Sequence, residues 1–311
     1  MLYDLLKLKF VCFNQCMMNR KKFLQQIGTF SLAAYTMNSQ AFSALTNTLQ
    51  PSAKMPVLFV GHGSPMNAIE SNEFTKKWQQ VGSSLPKPQA ILCISAHWET
   101  EGTFVTAMAK PKTIHDFGGF PQALFDIQYP ANGSLALAKN TKEIVTQTII
   151  GLDDKWGLDH GCWSILKSMF PNADIPVVEM SLDYRKDAAY HYNLGKELQQ
   201  LRHKGVLIIG SGNIVHNLGL INWQKMNEPD YGFDWALEAK EQLNALIISG
   251  NHQQLVQYKK LGKSVTLAVP SPDHFLPLLY SLALKTDKDQ ISLFNDKAQL
   301  GSITMTSALI H

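Results

Sequence analysis

Val57-Leu58-Phe59-Val60-Gly61-His62-Gly63-Ser64-Pro65-Met66 is the stretch that decides the fold. Four apolar residues, two of them β-branched, predict a buried strand. Gly61-His62-Gly63-Ser64-Pro65 then breaks the run as a loop. In an α/β sheet, ligands gather at the carboxyl ends of the strands. His62 is therefore expected at the mouth of a sheet, between two glycines that let backbone or ligand come close. Taken alone, the pattern fits a turn with a surface histidine equally well.

A second copy of the design separates these readings. Ala90-Ile91-Leu92-Cys93-Ile94-Ser95-Ala96-His97-Trp98 is another apolar strand running into a histidine, 33 positions after the first. That interval fits a strand, a helical crossover and a parallel neighbour. A third strand, Gly205 to Ile209, passes through Gly210-Ser211-Gly212-Asn213 to His216. Asp159-His160-Gly161 precedes a short helix (164–169), and the stretch Pro270 to Leu279 is expected to cap and open another helix, with His274 in its first turn.

The remaining segments alternate in type. Helices are expected over 72–81, 133–148, 188–203, 235–248 and 253–258. Strands are expected over 104–108, 175–180, 291–294 and 301–309. Phe74 and Trp78 give the first helix an apolar face, as do Leu194, Leu198 and Leu201 the one after 188. The fold class is α/β: a single domain with a largely parallel central sheet flanked by helices and its active site at the strands' carboxyl ends.

With 311 residues, 45% of them hydrophobic, the chain can bury a large core. The net charge of +3 comes from mixed charges with no basic block, so nucleic acid is not an expected partner. Four cysteines do not make a disulfide framework at this size. Cys93 reads as a small core hydrophobe, and Cys162 could line a site. No apolar run reaches the length of a membrane span. Gly-x-Gly-x-x-Gly and the P-loop pattern are absent, so nucleotide cofactors have no support.

Residues 1–54 are expected to be an N-terminal extension or export signal followed by a linker (46–54), and residues 55–311 the catalytic domain. Arg20-Lys21-Lys22-Phe23-Leu24, the apolar stretch 27–37 and small residues near Ala41 have the shape of an export signal. An over-long start fits the same residues, so cytoplasmic and periplasmic locations both stay open.

Of ten histidines, His62, His97, His160, His216 and His274 fall at strand ends or helix starts, where they would face one crevice. Imidazole is the commonest protein metal ligand and titrates near neutrality. A histidine set without thiolates suits zinc, iron, copper or nickel. A hydrolytic zinc that activates water and a non-haem iron with open positions both fit. For the hydrolase, Glu179 or Asp183 would be the carboxylate base; a non-enzymatic binding protein on the same fold is a further alternative. His191, His203 and His252 are expected on polar, exposed helix faces. His115 and Asp116 lie in the aromatic, Gly-rich loop 113–121, the kind of loop that often covers a site.

Six motifs in order, Gly61-His62-Gly63-Ser64-Pro65-Met66-Asn67, Ser95-Ala96-His97-Trp98, Thr113 to Pro121, Asp159-His160-Gly161, Gly212 to Asn217 and Pro272 to Leu278, resemble the class III (LigB-type) extradiol ring-cleavage dioxygenases, in the 4,5-DOPA dioxygenase branch. The resemblance spans about residues 55–309. It implies His62, His97 and His274 as metal ligands, with His216 grouped beside them, and His160 as the catalytic acid/base. It further implies Fe(II) for catalysis, Zn(II) as an alternative occupant, and a small aromatic diol and O2 as substrates. His115, Asp116 and Phe120 would meet the substrate, with Phe117 and Trp98 walling its ring. The family's usual site has two histidines and a carboxylate; here a histidine stands in the carboxylate's place.

Overall fold

A computed structural model of the chain describes residues 49–311. The expected leader lies outside the described residues. In chain order the elements are β1 (Val57–Gly61), α1 (Glu73–Ser84), β2 (Ala90–Thr100), β3 (Thr103–Thr106), α2 (Gln122–Phe125), α3 (Leu135–Ile144), β4 (Ile150–Asp153), α4 (His160–Met169), β5 (Val177–Asp183), α5 (Ala188–Glu197), β6 (Val206–Gly212), α6 (Asp234–Ser249), α7 (His252–Val256), α8 (Lys263–Ala268), α9 (Leu276–Ala283), β7 (Ile291–Phe294), β8 (Ala298–Gln299), β9 (Ile303–Thr304) and β10 (Ser307–Ile310).

Eight strands form one sheet in the order β4-β3-β5-β2-β6-β1-β10-β7. The centre, β5-β2-β6-β1, is parallel throughout. Its flanks join antiparallel: β3 to β5, β10 to β1, and β7 to β10. β1 and β2 are not neighbours, because β6 inserts between them. Three adjacent parallel strands, β2, β6 and β1, therefore deliver His97, His216 and His62 toward the same end of the sheet.

Alternation along these strands separates two cores. Val57, Phe59, Leu92, Ile94, Val206 and Ile208 join one cluster with α5, α6 and α9. Leu58, Val60, Ile91, Cys93, Leu207 and Ile209 join the other with α1 and α4. A strand with both faces covered reads as a continuous apolar run, which is why its side-to-side period is invisible in the sequence. α9 is buried along its whole length.

Several local expectations are corrected. β2 does not stop at Ser95: it runs to Thr100, with a register shift against β5 between Ile94 and Glu99. His97 therefore lies in an irregular stretch of strand, where a bulge re-aims side chains. The helix expected over 188–203 ends at Glu197 and tightens into a 3-10 segment to Lys204. Two short strands, β9 and β10, replace the single one expected over 301–309. His191 is fully buried rather than exposed, because its face of α5 packs on α9, where Nδ1 meets the Tyr280 hydroxyl at 3.0 Å. His252 is half-buried and bonds the Tyr192 hydroxyl. Within the segment read as a linker, Gln50 N donates to Gln89 Oε1 and Ser52 N to His203 O. Among the described residues, no helix is long and apolar enough to cross a membrane.

Candidate active site

His62 leaves β1 one residue after the strand ends, and its backbone N–H still donates to Gly212 O of β6. Asn67 Nδ2 donates to the His62 carbonyl and holds the loop closed. His160 is the first residue of α4, whose N-cap Asp159 accepts from Cys162 N. His274 stands just before α9 rather than in its first turn, since Phe275 is the cap. Its carbonyl accepts from Asn213 N, and a Cβ on Gly212 would lie 2.2 Å from that oxygen. Only glycine lets β6 and the His274 loop approach so closely. His216 is placed by its N–H, which donates to Ala268 O, and by a bridge to Ile303.

The five histidines converge. Ring centroids of His62, His97, His160 and His274 lie between 3.9 and 5.8 Å apart in the contacts they make. His216 stacks on His274 at 3.5 Å. His62, His97 and His160 form one group of donors that a metal ion could join, and His216, Asp273 and His274 form another.

Hydrogen bonds define which nitrogens are free. The Ser211 hydroxyl donates to Gly161 O at 2.6 Å, so it can only accept from His62 Nδ1, 2.9 Å away. The proton of His62 is then on Nδ1, and Nε2 presents a lone pair. That Nε2 lies 3.1 Å from His97 Nε2. Asp116 Oδ2 stands 3.6 Å from His97 Nδ1 and favours a proton there. Two lone pairs then face one another, an arrangement a shared cation satisfies. Burial, and then the neighbouring imidazoles, hold the pKa values of His62 and His97 well below the ordinary value. The same causes take His216 to about 3. His62, His97 and His216 are thus held as neutral donors, the state a metal requires.

His160 is held differently. Asp116 accepts from it twice, from the backbone N–H at Oδ1 and from Nδ1 at Oδ2, both at 2.9 Å. Burial raises the Asp116 carboxyl, but the hydrogen bonds from His160 and its electrostatic effect outweigh this and hold it below its usual range. An ionised Asp116 can only accept, so His160 carries a proton on Nδ1. Asp273 hydrogen-bonds His274 Nδ1 in the same manner and is held at about 2, burial being outweighed by that bond.

The aromatic loop supplies the wall. Phe117 meets the His160 ring edge-on at 5.5 Å, and Phe120 packs on Phe117 at 5.4 Å. His115 makes no ring contact with the clustered histidines; its Nε2 donates to Ile127 O, and it packs on Phe117 and Trp163. Trp98 is buried and stacked on Trp156, so it does not line an open pocket. Cys162 is fully buried, and burial raises its thiol pKa. Sequence reasoning passed over Ser211 and gave no role to Ser95 or Asp273. The one signal for Ser211 was a small hydroxyl residue between two glycines at a strand end, Gly210-Ser211-Gly212.

A doubly covered, mainly parallel sheet with a histidine cluster at its carboxyl edge defines a metalloenzyme-like α/β architecture, and comparison places it. Residues 56–306 match the family described as the catalytic LigB subunit of aromatic ring-opening dioxygenase. A 4,5-DOPA dioxygenase extradiol of Escherichia coli (strain K12) is 46% identical over 266 residues, 84% of this chain and 97% of that protein. The protein of the same name from Mirabilis jalapa is 36% identical over 75% of this chain and 88% of its own length. The crystal structure of an uncharacterized protein from Escherichia coli K12 superposes with a TM-score of 0.72 at 39% identity, covering 83% of this chain and 100% of that one. The chain belongs to the LigB family of aromatic ring-opening dioxygenases and is an oxygenase.

Proposed function

We propose that the chain is a metal-dependent extradiol dioxygenase that opens the ring of a catechol such as DOPA with O2. The observation that carries this reading is the convergence of five histidines in which two Nε2 atoms, of His62 and His97, face each other at 3.1 Å. Those two residues and His274 would hold the metal, with His216 stacked behind His274. Fe(II) is the working ion in this reading, and Zn(II) is an alternative occupant. When bound there, the metal would supply Lewis acidity and redox capacity for the reaction of the diol with O2.

The protein's own groups do the rest. Ser211 and Asp273 aim the ligand histidines. Asp116 holds His160 in the tautomer whose Nε2 takes a hydroxyl proton from the diol and returns it to a product oxygen. Asp116 acts on the substrate through His160 in this arrangement. Phe117, backed by Phe120, packs edge-on against the His160 ring and shields it from water. His115 braces the loop that carries Asp116. Cleavage beside the diol puts both oxygen atoms into the product and leaves a semialdehyde. Glu179, one of the two carboxylates a hydrolase could use as its base, is closed off: its oxygens accept from Asp159 N and Trp156 Nε1.

The test is O2 uptake by protein loaded anaerobically with Fe(II) and then mixed with L-DOPA, with absorbance followed for a yellow product. One O2 per substrate with colour is expected. His160→Ala should keep the metal and lose roughly 10²–10⁴-fold in turnover. No uptake across a panel of catechols by metal-loaded protein would overturn the reading.

A further inference from the structure

Glu179 is a fully buried carboxyl in the middle of a sheet with no Lys or Arg ion pair among the described residues. Such a group is costly to bury and needs a structural reason. Its two oxygens grip both ends of one turn: Oε1 accepts from Asp159 N at 2.8 Å and Oε2 from Trp156 Nε1 at 3.2 Å. Glu179 is fixed in turn, paired in register with Cys93 of β2 and donating its N–H to Thr106 Oγ1.

The gripped turn leads into the site. Asp159, also fully buried, caps α4 immediately before His160. The Ser95 hydroxyl donates to Asp159 Oδ1 at 2.7 Å, and Ser95 Oγ faces the backbone N–H of His97 at 3.3 Å. The Asp159 and Glu179 carboxyls also interact through a side-chain hydrogen bond. Burial, with Asp159 close by, raises Glu179 well above its usual range. The connection therefore runs from Glu179 through Asp159 to His160 on α4, and through Ser95 to His97 on the irregular part of β2.

We propose that Glu179 is a positioning residue of the active site: by anchoring the Trp156–Asp159 turn to β5, it fixes α4 so that His160 and His97 keep their separation. The inference rests on reading His160 as the acid/base, but its geometric part can be measured without turnover.

Full-length Glu179→Leu, Glu179→Gln and Trp156→Phe would be compared by amide hydrogen exchange and by O2 uptake with a catechol. Glu179→Leu is expected to speed exchange at the Asp159 and His160 amides at least tenfold, with β1 and β6 amides unchanged. Its kcat is expected to fall at least tenfold with KM within twofold. Glu179→Gln keeps one acceptor and should restore protection and most of kcat. Trp156→Phe, with the Asp159 bond intact, should stay near the parent in both. If Glu179→Leu does not fold, Ser95→Ala tests the other link and should show the kcat loss without one in KM.

Unchanged exchange at Asp159 and His160 in Glu179→Leu would overturn the proposal, as would a uniform rise in exchange that includes β1 and β6. A Gln variant no better than Leu would do the same. If the parent protein consumes no catechol, the function fails while exchange still decides the positioning role.

Discussion

Ser211 shows how one hydroxyl can fix the tautomer of a buried histidine. It has a single proton, and Gly161 O takes it. His62 must then donate from Nδ1, which leaves Nε2 for a metal. Ser211→Ala frees the ring to adopt either tautomer and to rotate. Metal affinity is expected to fall roughly 10–100-fold with little change in melting temperature, read by chelator competition and thermal denaturation. Equal affinities in the two proteins would refute this role. Asp116 and Asp273 do for His160 and His274 what Ser211 does for His62, with a carboxylate as acceptor.

At the scale of elements, the site is an agreement between β6 and the loop before α9. Gly212 ends β6 against the carbonyl of His274, and Asn213 N bonds the same oxygen. A Cβ there would meet backbone, which cannot swing aside as a flexible side chain would. Gly212→Ala is expected to cost about 1–3 kcal/mol of stability and to displace His274, so that bound metal falls as well. Denaturant unfolding with metal analysis on one preparation checks both; a loss of stability at full metal content would show that the His274 loop tolerates the shift. The bulge in β2 works alongside: by breaking register after Ile94 it lets one strand carry Cys93 in the core and His97 at the site.

For the whole molecule, buried imidazoles link stability to pH. His191 lies at the α5–α9 packing, outside the histidine cluster of the candidate site, and burial lowers its pKa to about 4. In the unfolded chain it titrates near 6.5. Above pH 6.5 both states hold it neutral, and its contribution is complete. As pH falls below 6.5 the unfolded state takes up a proton that the folded state refuses until about 4, so stability is lost across that window. The loss from this group alone is about 3 kcal/mol at most. Unfolding free energies at pH 7.5 and 5 should show the drop, and His191→Gln should flatten it; an equal slope in the variant would exclude His191 as its source.

Strand-to-histidine transitions, the α/β alternation and the five histidines of the cluster were legible from residues alone. They are local patterns: apolar runs, breakers and caps lie within a few positions of each other. What the histidines do to one another was not legible. The bond that sets the His62 tautomer joins residues 149 positions apart, and the one that aims His160 joins residues 44 apart. Strand order decides such partners: β6 slips between β1 and β2 and brings Ser211 beside both. The same applies to Glu179, which in the sequence is a carboxylate near a strand end and in the fold is sealed behind α4. It applies to His191, whose polar-looking face of α5 is covered by α9. The sequence by itself determined which chemistry was available and at which edge of the sheet it would gather. Tertiary structure alone decided which nitrogen of each ring is free, because protons follow hydrogen-bond partners, and those partners come from distant strands.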